Sequence, residues 1–231
     1  MAGSDMTLKI LGTGMSLPAT YRLSSELDRQ HGKAHGWFEA ETGVTCRYVV
    51  NGESQIEMGV AAARDAIQQA GLQASDIDLI ISASGIAYQT LPATAPLYQR
   101  HLGIADGKAA TFDINSTCLS FVSALEIVAA LLSTGRYRRA LIISSEIASR
   151  ALPWKSQPEI AGLFGDGAAA AVVEHDPRAY LEACFQTYPS AYEACQIAAG
   201  GTRFDFQHQR EAFEANVQFA MDGKALFKVT S

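Results

Sequence analysis

A chain of 231 residues, 48% apolar and 18% charged, has the material for one large α/β domain or two small ones. That composition excludes a disordered chain, and a net charge of −6 argues against nucleic acid as the main partner. No charge-free run of about 18 apolar residues occurs, so no membrane span is expected. The opening Met-Ala-Gly-Ser-Asp-Met6 lacks the apolar stretch of a signal peptide, and Met6 reads as the natural start. Four cysteines (46, 118, 184 and 195) show neither CxxC nor zinc spacing, so no metal is expected and a reduced, cytoplasmic compartment fits best.

In chain order, Leu8 to Met15 reads as a first strand that breaks at its glycines, with Pro18 closing it. Gly12-x-Gly14 has no third glycine and no following helix, so it reads as a turn and not a phosphate loop. Ser24 to Gln30 reads as a short helix, and Trp37 to Gly43 as a loop or helical turn. Ser54-Gln-Ile-Glu57 is a capping box opening a helix through Ala70, with Ile56, Val60, Ala63 and Ile67 on one face. Asp78 to Ser84 and Arg139 to Glu146 read as buried, near-continuously apolar strands, and a helix is predicted from about Thr94 to Leu102. Gly165-Asp-Gly167 reads as a turn, with Asp166 its former, before a small-residue strand from Ala168. Strands alternating with helices, apolar throughout, imply a sheet buried on both faces. Beyond Asp176 the pattern changes. Leu181 to Thr187 is a further candidate strand, Tyr188 to Gln207 a long loop, and Met221 to Lys228 the opening of a helix.

The chemistry-bearing stretch runs from Ala110 to Gly135. A strand, Ala110 to Ile114, meets a polar corner, Asn115-Ser116-Thr117. From that corner a helix is expected with Cys118 at its first position and Gly135 as its stop. The helix is apolar almost all round and is predicted to be buried. A thiol there would face the positive end of a helix dipole, which favours the thiolate. The competing reading is a core cysteine, the usual fate of a lone cysteine in an apolar segment.

The order Asp113 to Phe121, then Ser144-Ser-Glu146, then Phe164 to Ala171 resembles a β-ketoacyl-acyl-carrier-protein synthase III, of the thiolase-like superfamily. Gly12-Thr-Gly14 with Leu17-Pro18, Trp37 with Thr42-Gly43, and Met221-x-Gly-x-x-x-Phe227-Lys228 match the same family, so the likeness runs from residue 8 to 228. The resemblance implies a thiolase-like α/β fold, a mixed five-stranded sheet with helices on both faces. Residues 6–176 would form the N-terminal half with the nucleophile, and 177–231 a connecting loop region and the start of the C-terminal half. It further implies a decarboxylative Claisen condensation. Cys118 would take an acyl group from an acyl-CoA or acyl-carrier protein, and malonyl-carrier protein would supply the attacking carbanion. The Cys118 N–H would serve a developing oxyanion.

Trp37 matches a tryptophan that stacks on adenine in the family, Leu91 a residue that reaches into the partner subunit's acyl pocket, and Lys228, with Lys224, a basic patch for the acidic carrier protein. Met221 and Phe227 would be core or acyl-tunnel lining. Coenzyme A thioester would be a substrate and no cofactor is implied; a homodimer is. Two departures stand out. Glu41 occupies a position where the family has an arginine, which favours a carrier-bound donor. The family's His and Asn lie beyond residue 231, so the chain reads as the N-terminal portion of a longer enzyme. Cys46, Cys184 and Cys195 read as structural. An acyltransferase using Cys118 without condensation, and a non-catalytic subunit of a heteromeric synthase, are the alternatives.

Overall fold

A computed structural model describes residues 6–230. The strands are β1 (Met6–Thr7), β2 (Lys9–Ser16), β3 (Tyr21–Leu23), β4 (Cys46–Tyr48), β5 (Leu79–Ser82), β6 (Ala110–Asp113), β7 (Arg139–Ile147), β8 (Asp166–Glu174), β9 (Tyr180–Leu181), β10 (Cys195–Gln196) and β11 (Ala220–Met221). The helices are α1 (Ser24–Gln30), α2 (Trp37–Thr42), α3 (Gln55–Gln69), α4 (Ala95–His101), α5 (Ser120–Ser133), α6 (Pro158–Ala161), α7 (Arg210–Asn216) and α8 (Gly223–Thr230). Two compact units share these elements. One holds the residues up to Thr20, Val50–Ile147 and Asp166–Cys184; the other holds Tyr21–Val49, Ala148–Gly165 and the residues from Phe185 onward.

The first unit is built on a mixed five-stranded sheet in the order β2-β8-β7-β5-β6. β6, β5 and β7 run parallel, while β8 is antiparallel to both β7 and β2. Successive side chains of a strand point to opposite faces, and here both faces are apolar. Ile80, Leu141, Ile143, Ala170 and Val172 pack with α3 and α4. Leu79, Ile81, Ile142, Ala171 and Val173 pack with Ala124, Val128, Ala129 and Leu132 of α5. Continuous apolar runs in β5 and β7 are what a sheet covered on both sides requires.

Helix α3 opens as its capping box dictates. The Ser54 hydroxyl accepts from Glu57 N–H at 3.0 Å, and the Glu57 carboxylate accepts from Ser54 N–H at 3.0 Å. Gly12 and Gly14 are not a turn. They lie inside β2, where a Cβ on Gly12 would stand 2.6 Å from the Ala70 nitrogen, so their bare backbone lets α3 rest directly on the strand. Asp166 is likewise the first residue of β8, paired with Ile147, and its buried carboxylate accepts from Val50 N–H at 2.8 Å. The local turn signal of Gly-Asp-Gly was overridden by pairing with β7.

Helix α5 departs from expectation in two respects. Its first residue is Ser120, two beyond Cys118, and only one face is buried, with Val122 and Ile127 exposed. The candidate strand from Leu181 reduces to β9, which pairs with β1. In the second unit, β3 and β4 pair antiparallel. Gly36 N–H and Phe38 N–H donate to the buried Asp28 carboxylate at 2.7 and 2.9 Å, which sets the start of α2. Among the described residues no helix is long and apolar enough to cross a membrane.

Candidate active site

The end of β6 leads into a tight turn made of Asn115 to Leu119, all exposed. Asn115 Oδ1 accepts from Thr117 N–H at 2.9 Å, a side-chain-closed turn. Leu119 N–H then donates to the Ser116 carbonyl at 3.1 Å. The buried Ser120 hydroxyl donates to the Thr117 carbonyl at 2.6 Å and accepts from Ser116 N–H at 3.0 Å. Thr117 is held at φ 54°, a left-handed conformation that a β-branched residue seldom adopts. A left-handed Thr117 cannot be part of a right-handed helix, and the turn's own hydrogen bonds run on through Leu119, so the first helical residue is Ser120. Cys118 sits in the turn itself, with an exposed side chain, and is not a core cysteine.

The turn is braced by its neighbours in the same unit. Asn115 Nδ2 donates to the Gly85 carbonyl at 2.9 Å. Gly85 N–H in turn donates to Glu146 Oε1 at the end of β7, and Ile86 N–H donates to the same carboxylate. Burial pushes the Glu146 carboxyl above the usual glutamate range, and the two N–H donors oppose that shift. Asp113, just before the turn, accepts from the N–H groups of Thr94 and Ala95 at 2.7 and 2.8 Å and so caps α4. Gln55 Nε2 holds the Ile86 and Ser145 carbonyls at 2.8 and 2.7 Å. The loop from Gly85 to Thr94 is thus pinned at both ends while its middle, with Leu91 at 84% exposure, is open. Leu91 packs as no loop anchor.

The other sequence-derived positions lie in the second unit. Trp37 is half-buried, with Lys33 Nζ 4.2 Å from its ring centroid and Phe38 edge-on at 4.9 Å. Glu41 is exposed on the same helix. Phe227, expected in a core or tunnel, is 72% exposed. Lys224 and Lys228 are exposed on α8, whose start is capped by Asp222 Oδ1 accepting from Lys224 and Ala225 N–H. Among the described residues no group of three or more His, Cys, Asp or Glu could hold a metal ion. Sequence reasoning quoted Glu146 and Asn115 only as parts of motifs. It assigned no role to either, because their connection runs through Gly85, distant from both in sequence.

A five-stranded mixed sheet between helices, with a cysteine exposed on a turn between strand and helix, defines the thiolase-like α/β fold. The family model of 3-oxoacyl-[acyl-carrier-protein] synthase III matches residues 112–189, a span that contains Cys118. The chain is 35% identical over 170 residues to a β-ketoacyl-[acyl-carrier-protein] synthase III of Acholeplasma laidlawii, covering 74% of this chain and 54% of that protein. It is 39% identical over 165 residues to the protein of that name from Rhodospirillum centenum, covering 71% and 50%. The crystal structure of 3-oxoacyl-[acyl-carrier-protein] synthase III from Aquifex aeolicus superposes with a TM-score of 0.79 at 29% identity, over 96% of this chain and 67% of that one. The resemblance to β-ketoacyl-acyl-carrier-protein synthase III therefore holds in sequence and in fold, and its partial coverage fits the N-terminal portion of that family. The chain spans about half the length of the curated relatives it matches.

Proposed function

We propose that this chain carries the acyl-accepting half of a decarboxylative condensing enzyme, with Cys118 as the nucleophile. The observation that carries the reading is the exposed Cys118 on a closed, strained turn, inside the span that matches the synthase model. The Cys118 thiolate attacks the carbonyl of an acyl thioester, forming a new C–S bond and expelling the donor's thiolate. Malonyl-carrier protein then loses carbon dioxide, and the resulting carbanion attacks the acyl-Cys118 thioester and returns the thiolate. The Cys118 N–H donates to the oxyanion formed in each attack.

The donor is an acyl-CoA or an acyl-carrier protein. The exposed Glu41 beside Trp37 is an unfavourable neighbour for phosphates and favours the carrier-bound donor. Lys224 and Lys228 on α8 suit an acidic carrier protein, and Leu91 suits insertion into a second copy's acyl pocket.

Intact mass of the full gene product, before and after incubation with a panel of acyl thioesters, tests the reading. A single acyl adduct that disappears in Cys118→Ala supports it; an adduct that persists in Cys118→Ala refutes it. Adding malonyl-carrier protein then separates condensation, which yields a 3-oxoacyl product, from acyl transfer alone.

A further inference from the structure

We propose that Glu146 is a positioning residue for the nucleophile, acting on Cys118 through the Gly85 peptide and the Asn115 side chain. The inference rests on the reading of Cys118 as nucleophile and adds to it a residue that touches no substrate. Four groups form one continuous line. Glu146 Oε1 accepts from Gly85 N–H, the Gly85 carbonyl accepts from Asn115 Nδ2, and Asn115 Oδ1 accepts from Thr117 N–H, the residue before Cys118. The two longer links measure 2.9 Å each. The Gly85 peptide lies physically between the two ends: a Cβ built on it would stand 3.4 Å from the Thr117 carbonyl oxygen and 3.6 Å from Glu146 Oε1.

The anchor is firm where it must be. Glu146 follows the fully buried Ser145 on the central strand β7, and Ser145 N–H donates to the Ser84 hydroxyl at 3.1 Å while its own hydroxyl donates to the Gln55 carbonyl at 2.7 Å. The far end is where support is needed, because Thr117 sits in a left-handed conformation that relaxes unless its surroundings hold it. A carboxylate accepting two peptide N–H groups is a strong acceptor, and the Gly85 carbonyl that accepts from Asn115 shares one amide with the Ile86 N–H that donates to Glu146, so that bond is polarised through a single peptide group. The arrangement transmits the rigidity of the sheet to a turn whose residues are all exposed. A loose turn would leave both the Cys118 thiol and the Cys118 N–H misaligned with the acyl donor.

The experiment compares Glu146→Ala, Glu146→Gln and Asn115→Ala in the full gene product. Cys118 acylation is followed by mass against donor concentration, and cysteine-resolved iodoacetamide labelling uses Cys46 and Cys184 as references in the same molecule. Glu146→Ala is expected to lower the saturating acylation rate by roughly tenfold to a hundredfold with little change in the half-saturating donor concentration. Glu146→Gln keeps a carbonyl acceptor and is expected to recover to within about threefold of the parent. Asn115→Ala breaks the line at its exposed end and is expected to reproduce the loss, which keeps the test open should Glu146→Ala not fold. Labelling of Cys118 slows in Glu146→Ala and Asn115→Ala, while Cys46 and Cys184 label as in the parent. Parent-like acylation in Glu146→Ala, a Glu146→Gln as impaired as Glu146→Ala, or equal changes at all three cysteines would overturn the proposal. If the parent forms no acyl adduct, the nucleophile reading fails, and the selective labelling effect alone decides whether Glu146 positions the turn.

Discussion

At the scale of single residues, the positions that matter most are those where backbone meets backbone. Gly14 rests against α3 so closely that a Cβ would strike the Ala62 carbonyl oxygen and stand 2.5 Å from the Ala66 nitrogen. Neither neighbour is a side chain that can swing away. Gly14→Ala should therefore destabilise the first unit by about 2 kcal/mol, within the usual range for overpacking, as a lowered midpoint in chemical denaturation. An unchanged midpoint would mean that β2 and α3 separate more easily than their geometry indicates. Gly59 on α3 meets a side chain instead: a Cβ there would stand 2.6 Å from the buried Tyr98 ring. Cys118 illustrates the opposite case: the preceding Thr117 is held through both its N–H and its carbonyl, while the Cys118 thiol is open to solvent.

Elements are fixed by their ends as much as by their faces. The reciprocal bonds between Ser54 and Glu57 satisfy N–H groups that would otherwise lack partners at the start of α3. Ser54→Ala should cost about 1 kcal/mol, read as a lowered midpoint in thermal or denaturant unfolding. Helix α4 is begun differently, by the Asp113 carboxylate projecting from the end of β6. Asp113→Asn keeps one carbonyl acceptor but loses the charge. It is expected to destabilise by roughly 1–2 kcal/mol and to loosen the Leu91 loop, read as faster hydrogen exchange of the Thr94 and Ala95 amides. Protection equal to the parent's would sink the capping role. These two helices show how far local signals reach. The box opening α3 lies within four consecutive residues and was legible in sequence. The cap on α4 comes from a strand nineteen residues later and was not.

At the scale of the whole molecule, Asp28 and Asp176 respond to pH in one direction and Glu146 in the other. Asp28 is held below the ordinary aspartate value of 3.8, chiefly by Phe38 N–H and also by Gly36 N–H, with burial working against them. A depressed carboxyl adds stability that is present above its unfolded value and lost as pH falls through the folded one. Asp176 is held at about 2, with Arg178 as its main partner. Glu146 is raised by burial, so its contribution is present below the ordinary glutamate value and fades as pH rises through the raised one. The melting temperature should fall as pH drops below about 4, and Asp28→Asn should show a shallower fall over that window. A parallel fall in both proteins would show that Asp28 carries none of the acid sensitivity.

The strands β5 and β7, the face of α3 and the cysteine at the end of β6 were readable from order and periodicity, because each depends on neighbours a few residues away. The family likeness was readable for the same reason: its motifs recur in order along the chain. Where local chemistry was ambiguous, the contacts of distant segments decided. Glycines at 12 and 14 serve equally well in a turn or under a packed helix, and only the approach of α3 distinguishes the two. Gly165-Asp-Gly167 favours a turn until β7 offers nine residues of pairing to β8. The apolar circumference of α5 could not say which side the sheet covers, nor could composition foresee that the turn closes on its own hydrogen bonds through Leu119 before the helix starts. The line from Glu146 through Gly85 to Asn115 joins three segments separated by thirty residues or more. Sequence alone determined which thiol is the candidate nucleophile, because residue types and their order are local. Tertiary structure alone decided how the thiol is held, because the groups that hold it meet only when the sheet has formed.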